Sequence, residues 1–193
     1  VFGASGDCLE QVKFPTPVKY EDFLIKLAEV VANLSTRDFM AVGVAAPGKI
    51  DHNLVLLVAA GNLTWHKEPF QRDLERLFHA PVALEHDAKT GAIAEARAAG
   101  SNYQTVVYIT ISTGIGIGVC VDGKVDKALE DAEIGWMKVD YNGELVPWEK
   151  IASGSAIVAK YNSRASDLDD PVAWDEIAHN IAKGLISVIA IVQ

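Results

Sequence analysis

Cysteine is scarce in this sequence of 193 residues, in which Cys8 and Cys120 are the only two. Two cysteines supply neither a disulfide framework nor the Cys-x-x-Cys pair that commonly binds zinc, so we expect no structural zinc. The same usage fits a reducing compartment, and we therefore expect a cytoplasmic protein.

Basic residues are also in deficit, because 17 Lys and Arg stand against 26 Asp and Glu, a formal net charge of −9. Proteins bind nucleic acids and anionic membranes mainly through basic surface, so this balance argues against both partners. The most apolar stretch, residues 181–192, is too short to span a bilayer and contains Lys183 and Gly184. Apolar residues nevertheless make up 50% of the chain, which predicts a folded, soluble protein that acts on a small ligand.

Short apolar runs alternate with amphipathic stretches along the chain, and this alternation indicates an α/β fold. The pattern predicts a hairpin over residues 1–14 and helices over residues 20–34, 69–78 and 88–99. Strands over residues 41–46, 81–86 and 106–111 are predicted to share one sheet, with a hairpin turn over residues 113–116. A further helix is predicted to open at Pro171, with Asp169 or Asp170 as its cap.

Residues 110–123, TISTGIGIGVCVDG, contain four glycines among β-branched residues. A strand and a turn follow these glycines rather than a helix, so a dinucleotide-binding Gly-x-Gly-x-x-Gly loop is excluded. The Gly-Lys-Ser/Thr ending of a P-loop is absent as well. What remains is a glycine-rich hairpin, either purely structural or one whose amides and Thr113 hydroxyl wrap a phosphate.

Asp87 directly follows a predicted strand and opens the helix over residues 88–99. One interpretation is a helix cap, because an aspartate there satisfies free amides and complements the helix dipole. Another is a general base, because ligands of α/β folds bind beyond the carboxyl ends of the strands. The two roles are compatible.

Taken together, these motifs resemble those of the ROK family of bacterial sugar kinases and sugar-responsive regulators. The stretches that carry the resemblance are, in chain order, LEHDAKTGAIAE (84–95), VVYITISTGIGIGVCVDGKV (106–125), DAEIGW (131–136) and WEKIASGSAIV (148–158). The resemblance implies an α/β fold of the actin-like (ribonuclease H-like) ATPase type, with two domains around a cleft. It divides the chain into domains over residues 1–104 and 105–193, and it suggests a homodimer.

The resemblance also assigns roles to individual residues. Asp87 corresponds to the base that takes a proton from the sugar hydroxyl as it attacks the γ-phosphate of ATP. Thr113, Gly114 and Gly116 correspond to the turn that handles the nucleotide phosphates. Phosphoryl transfer depends on positioning and charge neutralisation, which fits a carboxylate, a backbone cradle and Mg²⁺ as a cofactor beside ATP.

Sugar hydroxyls are implied to bind Glu133 and Glu149, with Asn62 as a further candidate. Without the family context, Glu133 would be interpreted as a solvated loop charge and Glu149 as a charge at a helix start. Carboxylates suit hydroxyls because each one accepts several hydrogen bonds. We expect Glu133, Glu149 and Asp87 to converge on one cleft.

Two positions of the implied substrate site depart from the family pattern. His86 replaces the usual asparagine before the catalytic aspartate, and Trp136 replaces the usual histidine. An indole stacks on a sugar face or donates one N–H, but it does not accept a hydroxyl proton. Trp136 is equally interpretable as a buried core aromatic. The cysteine-rich zinc loop of many members is also missing, so the loop has to be held by packing through Pro147 and Trp148.

Both ends of the sequence are abrupt, because residues 1–2 have the pattern of a strand under way and residue 193 follows an apolar helical pattern. We therefore expect a fragment of a longer ROK protein. Three functions remain open: an ATP-dependent kinase for glucose or a similar hexose, a sugar-sensing regulator, and a catalytically silent sugar-binding protein. Asp87 favours the kinase, because a regulator has no chemical need for a base.

Overall fold

A computed structural model describes residues 1–51, 56–59 and 63–192 of the chain. The chain divides into two compact units, Val1–Asp87 and Ala88–Gln193, each of which contains both helices and strands. No helix in the described part of the chain combines enough length and apolar character to cross a membrane.

The described residues of the first unit form two helices and five strands. In chain order they are α1 (Tyr20–Ala32), β1 (Val42–Ala46), β2 (Lys49–Asp51), β3 (Leu56–Ala59), β4 (His66–Glu68), α2 (Phe70–Phe78) and β5 (Val82–His86). The predicted hairpin at the start of the chain is present as a single antiparallel bridge between Phe2 and Cys8. The helices predicted over residues 20–34 and 69–78 are confirmed, each slightly shorter than predicted.

An aromatic cluster forms the core of the first unit. The ring of Tyr20 packs edge-on against Trp65 and Phe70, and all three side chains are buried. Their polar atoms find partners at the rim of the cluster: the Tyr20 hydroxyl donates to Asp73 Oδ2 at 3.1 Å, and Trp65 Nε1 donates to the Val18 carbonyl at 2.9 Å. Burial and the Asp73 carboxylate raise the pKa of Tyr20, because both disfavour the charged phenolate. The cluster packs against the sheet of β1 and β5 through Ala46, Val82 and Leu84.

Strands β1 and β5 are parallel neighbours, with Val42 opposite Val82 and Ala46 opposite His86. Their carboxyl ends therefore lie at the same edge of the sheet, and β5 runs directly into the first residue of the next helix, Asp87. This is the edge at which ligands of open α/β sheets bind.

The prediction that residues 106–111 belong to the same sheet is wrong. The strand over these residues, β6 (Thr105–Ile111), lies in the second unit and pairs antiparallel with β7 (Ile115–Val121). A three-residue turn joins the two strands, and closing so short a loop costs far less entropy than pairing with a distant strand. No helix begins at Gly114, and the turn occupies residues 112–114 rather than 113–116.

The second unit begins with α3 (Asp87–Ala99), whose first residue closes the first unit. After β6 and β7 follow β8 (Lys124–Val125), β9 (Lys138–Tyr141), β10 (Glu144–Pro147), α4 (Glu149–Ala152), α5 (Gly154–Tyr161) and α6 (Pro171–Val192). Strands β6, β7 and β8 form one sheet, and β9 and β10 form a hairpin. The predicted cap of α6 is confirmed as Asp170, whose Oδ1 accepts the amides of Val172 at 2.9 Å and Ala173 at 3.3 Å.

Trp148 connects the β9–β10 hairpin to α6. Its side chain is 0% exposed, and its Nε1 donates to the carbonyl of Asn180 on α6 at 2.9 Å. The ring lies flat against Gly184, where a Cβ would come within 2.0 Å of Trp148 Cε2. A tryptophan fits at this position only because α6 has no side chain there.

We expect Gly184→Ala to destabilise the protein although alanine favours helix by about 1 kcal/mol over glycine. The added methyl group would overlap the buried Trp148 ring, and overpacking of this kind costs about 3 kcal/mol. The free energy of unfolding, measured by chemical denaturation, should therefore fall. The control is His179→Ala, at an exposed position of the same helix, which should change stability by less than about 0.5 kcal/mol. A Gly184→Ala variant more stable than the wild type would contradict this packing.

Candidate functional site

The carboxylate of Glu149 lies against two turns of the second unit. A Cβ on Gly114 would lie 3.2 Å from Glu149 Oε2, and a Cβ on Gly135 would lie 2.9 Å from the same oxygen. Both positions are glycine, so the half-buried carboxylate lies directly against their backbone. Its oxygens form no hydrogen bond or ion pair with the described residues and remain able to accept hydroxyl protons.

The turn between β6 and β7 is held by backbone hydrogen bonds to the first turn of α5. The Gly154 amide donates to the Ser112 carbonyl at 2.6 Å, and the Ser155 amide donates to the Thr113 carbonyl at 3.4 Å. The amides of Thr113 and Gly114 donate to none of the described residues. They are therefore available to an anion, as the glycine-rich pattern predicts.

A groove of about 440 Å³ opens beside this turn. Its lining combines small or apolar side chains with three polar ones: Thr113, Gly154, Ser155, Val158, Ala159, Arg164 and Ala165. This volume falls within the range of small-molecule sites. The sequence analysis predicted a role for Thr113 alone among these residues. Ser155 lies in a stretch that carries the family resemblance, whereas Arg164 lies in a polar turn without a motif.

The segment from Glu133 to Trp136 forms the second turn next to Glu149. A short 3₁₀ helix, Ile134–Trp136, places Gly135 against the Glu149 carboxylate. Glu133 is exposed at its start and caps none of its amides. Trp136 is 62% exposed, so the interpretation as a buried core aromatic is wrong.

The remaining glycines of the hairpin have a packing role. Gly116 pairs with Thr110 inside β7, and a Cβ on it would lie 3.2 Å from the Cβ of Ala88 on α3. A Cβ on Gly118 would lie 2.6 Å from both the carbonyl oxygen of Ala88 and the Cβ of Ala92. Part of the glycine pattern is therefore structural, because it lets α3 lie directly on the strand.

Asp87 and His86 lie at the end of the first unit. His86 Nδ1 is 3.3 Å from Asp87 Oδ1, and the Asp87 side chain is 54% exposed. The amide of His86 also donates to Glu85 Oε1 at 2.7 Å. The imidazole therefore touches the carboxylate and is placed to orient it.

The structure thus places Glu149 against two turns of the second unit, at Gly114 of the glycine-rich turn and at Gly135 of the segment from Glu133 to Trp136. The convergence of Asp87 with these carboxylates stays a prediction. Asn62 lies outside the described residues. Among residues 1–51, 56–59 and 63–192, no group of three or more His, Cys, Asp or Glu side chains is arranged to hold a metal ion.

Comparisons with known proteins identify the family of this chain. The ROK family model matches residues 1–193. A glucokinase of Streptomyces coelicolor is 29% identical over 176 residues, which cover 86% of this chain and 56% of that protein. A xylose repressor of Bacillus subtilis is 28% identical over 138 residues, which cover 67% of this chain and 36% of the repressor. This chain thus spans little more than half the length of the glucokinase.

A solved structure shows the same fold. The ROK family glucokinase from Streptomyces griseus, in complex with glucose and AMPPNP, matches with a TM-score of 0.77 and 27% sequence identity. The match covers 99% of this chain and 75% of that chain. The predicted fold class, the actin-like α/β ATPase fold, is confirmed, and this chain contains part of it.

We expect Gly154→Ala to weaken the contact between α5 and the turn of residues 112–114. The added methyl group would lie 2.6 Å from the Ser112 carbonyl oxygen, which accepts the Gly154 amide. The free energy of unfolding should fall by about 1–3 kcal/mol in chemical denaturation. Ser155→Ala, one residue further on at an exposed position, should change it by less than about 0.5 kcal/mol. Equal stability of Gly154→Ala and the wild type would contradict this contact.

Proposed function

This chain belongs to the ROK family, and we propose that it is part of an ATP-dependent kinase that phosphorylates a hydroxyl of glucose or a similar hexose. The observation that carries the proposal is the carboxylate of Glu149, which has no hydrogen-bond or ion-pair partner among the described residues. It lies against Gly114, in the turn with available amides, and against Gly135, in the segment that contains Glu133 and Trp136. A carboxylate that accepts hydrogen bonds from hydroxyls thus lies beside amides that donate hydrogen bonds to an anion. A reaction between a sugar and a nucleotide requires both kinds of group. The similarity to two glucokinases supports the same function.

The sugar is assigned to Glu133, Glu149 and Trp136. The two carboxylates accept hydrogen bonds from sugar hydroxyls, and such charge-assisted bonds are stronger than neutral ones. The exposed indole of Trp136 offers an apolar face on which the C–H face of a pyranose ring can stack. Asn62 and His86 are the further residues assigned to substrate.

The phosphates of ATP are assigned to the amides of Thr113 and Gly114 and to the Thr113 hydroxyl. The available amides and the adjoining groove fit a phosphate chain with an attached nucleoside. Gly116, which packs on α3, supports this turn from within β7. Bound Mg²⁺ would supply charge neutralisation on the phosphate oxygens.

Asp87 is assigned as the general base. Its carboxylate accepts the proton that the attacking hydroxyl loses, while the neighbouring His86 keeps it oriented. Since phosphoryl transfer requires mainly position and charge, one carboxylate meets the need for acid–base chemistry in this reaction.

A sugar-responsive regulator is the alternative, and the similarity to the Bacillus subtilis xylose repressor favours it. A regulator or a catalytically silent protein would use the same carboxylates to bind sugar, but it would not need Asp87 as a base. Loss of phosphorylation on changing Asp87 separates the alternatives.

We expect Asp87→Asn, in the complete protein, to lower kcat for hexose phosphorylation by about 10²- to 10⁴-fold, because the amide cannot accept the proton. The KM for sugar should change little. An ATP-coupled assay with glucose measures both constants. The matched control is Asp169→Asn, which makes the same change of charge at an exposed position. Equal activity of Asp87→Asn and the wild type would rule out the kinase mechanism proposed above.

We expect Glu133→Gln to weaken sugar binding by about 10-fold or more, because it removes a charged acceptor from a hydroxyl. The reduction should appear in calorimetric titration with glucose in the absence of ATP. Glu144→Gln, an exposed change of the same kind on β10, should leave the affinity unaltered. If both variants bind glucose as tightly as the wild type, Glu133 is not a sugar ligand.

A further inference from the structure

We propose that Arg164 binds the phosphate chain of the nucleotide from the groove beside Thr113, and that it makes this groove selective for a polyanionic nucleotide over an uncharged nucleoside. The inference rests on the proposed kinase function and adds a residue to it. Arg164 belongs to no motif of the sequence, and only the fold places it in the same groove as Thr113.

The charge of the groove differs from that of the whole chain. The formal net charge of the chain is −9, yet the one charged side chain among the residues that line this groove is the guanidinium of Arg164. An acidic protein repels a nucleotide at long range, so local positive charge in the groove counts more than it would elsewhere.

The backbone after α5 brings Arg164 back towards the first turn of that helix. Asn162 ends α5 in the left-handed region at φ 51°, which reverses the chain. The next turn is closed by the Asp167 amide, which donates to the Arg164 carbonyl at 3.0 Å. Trp174 on α6 holds this segment, because its Nε1 donates to the Leu168 carbonyl at 2.8 Å. The groove between α5 and this segment therefore has a defined wall.

The guanidinium of Arg164 is available to a ligand, because it forms no ion pair with any described residue. Two nearby carboxylates have other partners: Asp167 accepts from the Ser166 hydroxyl at 2.9 Å, and Asp170 caps α6. Lys160, the nearest basic residue in the sequence, is by contrast paired with Glu176, which raises the pKa of the lysine. Arg164 is thus the cation of this segment that can meet a phosphate.

The groove offers groups that suit both the phosphate chain and the nucleoside of a nucleotide. A guanidinium presents a planar fork of N–H donors that binds two phosphate oxygens at once. The side chains of Val158, Ala159 and Ala165 offer apolar contact for the nucleoside. Thr113 lies in the same lining, so Arg164 and the available amides of the turn act on one phosphate chain.

The test compares ATP with adenosine as probes in calorimetric titrations of the complete protein. Arg164→Gln should weaken ATP binding by about 10-fold or more and leave adenosine binding within about twofold. Arg164→Lys should recover part of the affinity for ATP, because it restores the charge but not the fork. Arg97→Gln makes the same change in net charge at an exposed position on α3 outside the groove lining, and it should bind ATP as the wild type does.

The outcomes distinguish this inference from the function on which it rests. If the wild type binds ATP and Arg164→Gln binds it equally well, Arg164 is no phosphate ligand, and the kinase proposal stands. If adenosine binding falls as much as ATP binding, Arg164 contacts the nucleoside, and the inference is wrong. If the wild type binds neither probe, the nucleotide site fails together with the inference. Circular dichroism of Arg164→Gln checks that the variant is folded.

Discussion

The packing of Trp148 on Gly184 is the contact on which the candidate site of the second unit depends. The indole fills the space that α6 leaves at this glycine, and its N–H satisfies the Asn180 carbonyl. Glu149, the first residue of α4, directly follows Trp148. The buried ring therefore fixes the position of the Glu149 backbone. The carboxylate then reaches the backbone of two turns that carry no side chains at the points of contact. Close-packed protein interiors transmit strain, so a change at Gly184 would displace Trp148 and, through it, Glu149.

The hairpin that leads to Trp148 is held by side-chain contacts to α5 and α6. Tyr141 lies between two lysines, with Lys160 Nζ 5.9 Å and Lys183 Nζ 5.5 Å from its ring centroid. Lys183 also donates to the Asp140 carbonyl at 2.9 Å, which ties α6 to the end of β9. Each of these contacts is partly exposed and modest in energy. The fully buried Trp148, which packs in one cluster with Val139 and Val146 of the hairpin, is the largest side chain of this core.

The candidate site separates its two chemistries by the kind of group that each one uses. Carboxylates face the part assigned to sugar, where the ligand is neutral and rich in hydroxyls. Backbone amides and one guanidinium are the groups assigned to phosphate, because an anion is bound by N–H donors. In the proposed function, a chain of net charge −9 binds an anionic nucleotide because the favourable charge is local. A regulator and a kinase can share the sugar half, and they differ in whether the phosphate half and Asp87 are used.

Local patterns in the sequence determined much of this protein. Helical spacing, proline and aspartate placed the helices, including the cap at Asp170, and the glycine-rich stretch identified the turn at Thr113. The motifs identified the family, because their order along the chain is itself part of the sequence. The tertiary structure alone decided that β6 lies in a different sheet from β1 and β5, because an apolar strand is compatible with several sheets. It also decided that Trp136 is exposed, that Gly184 receives a buried ring, and that Arg164 lines the groove beside Thr113. These facts depend on contacts between residues distant in sequence, and no local spacing records them.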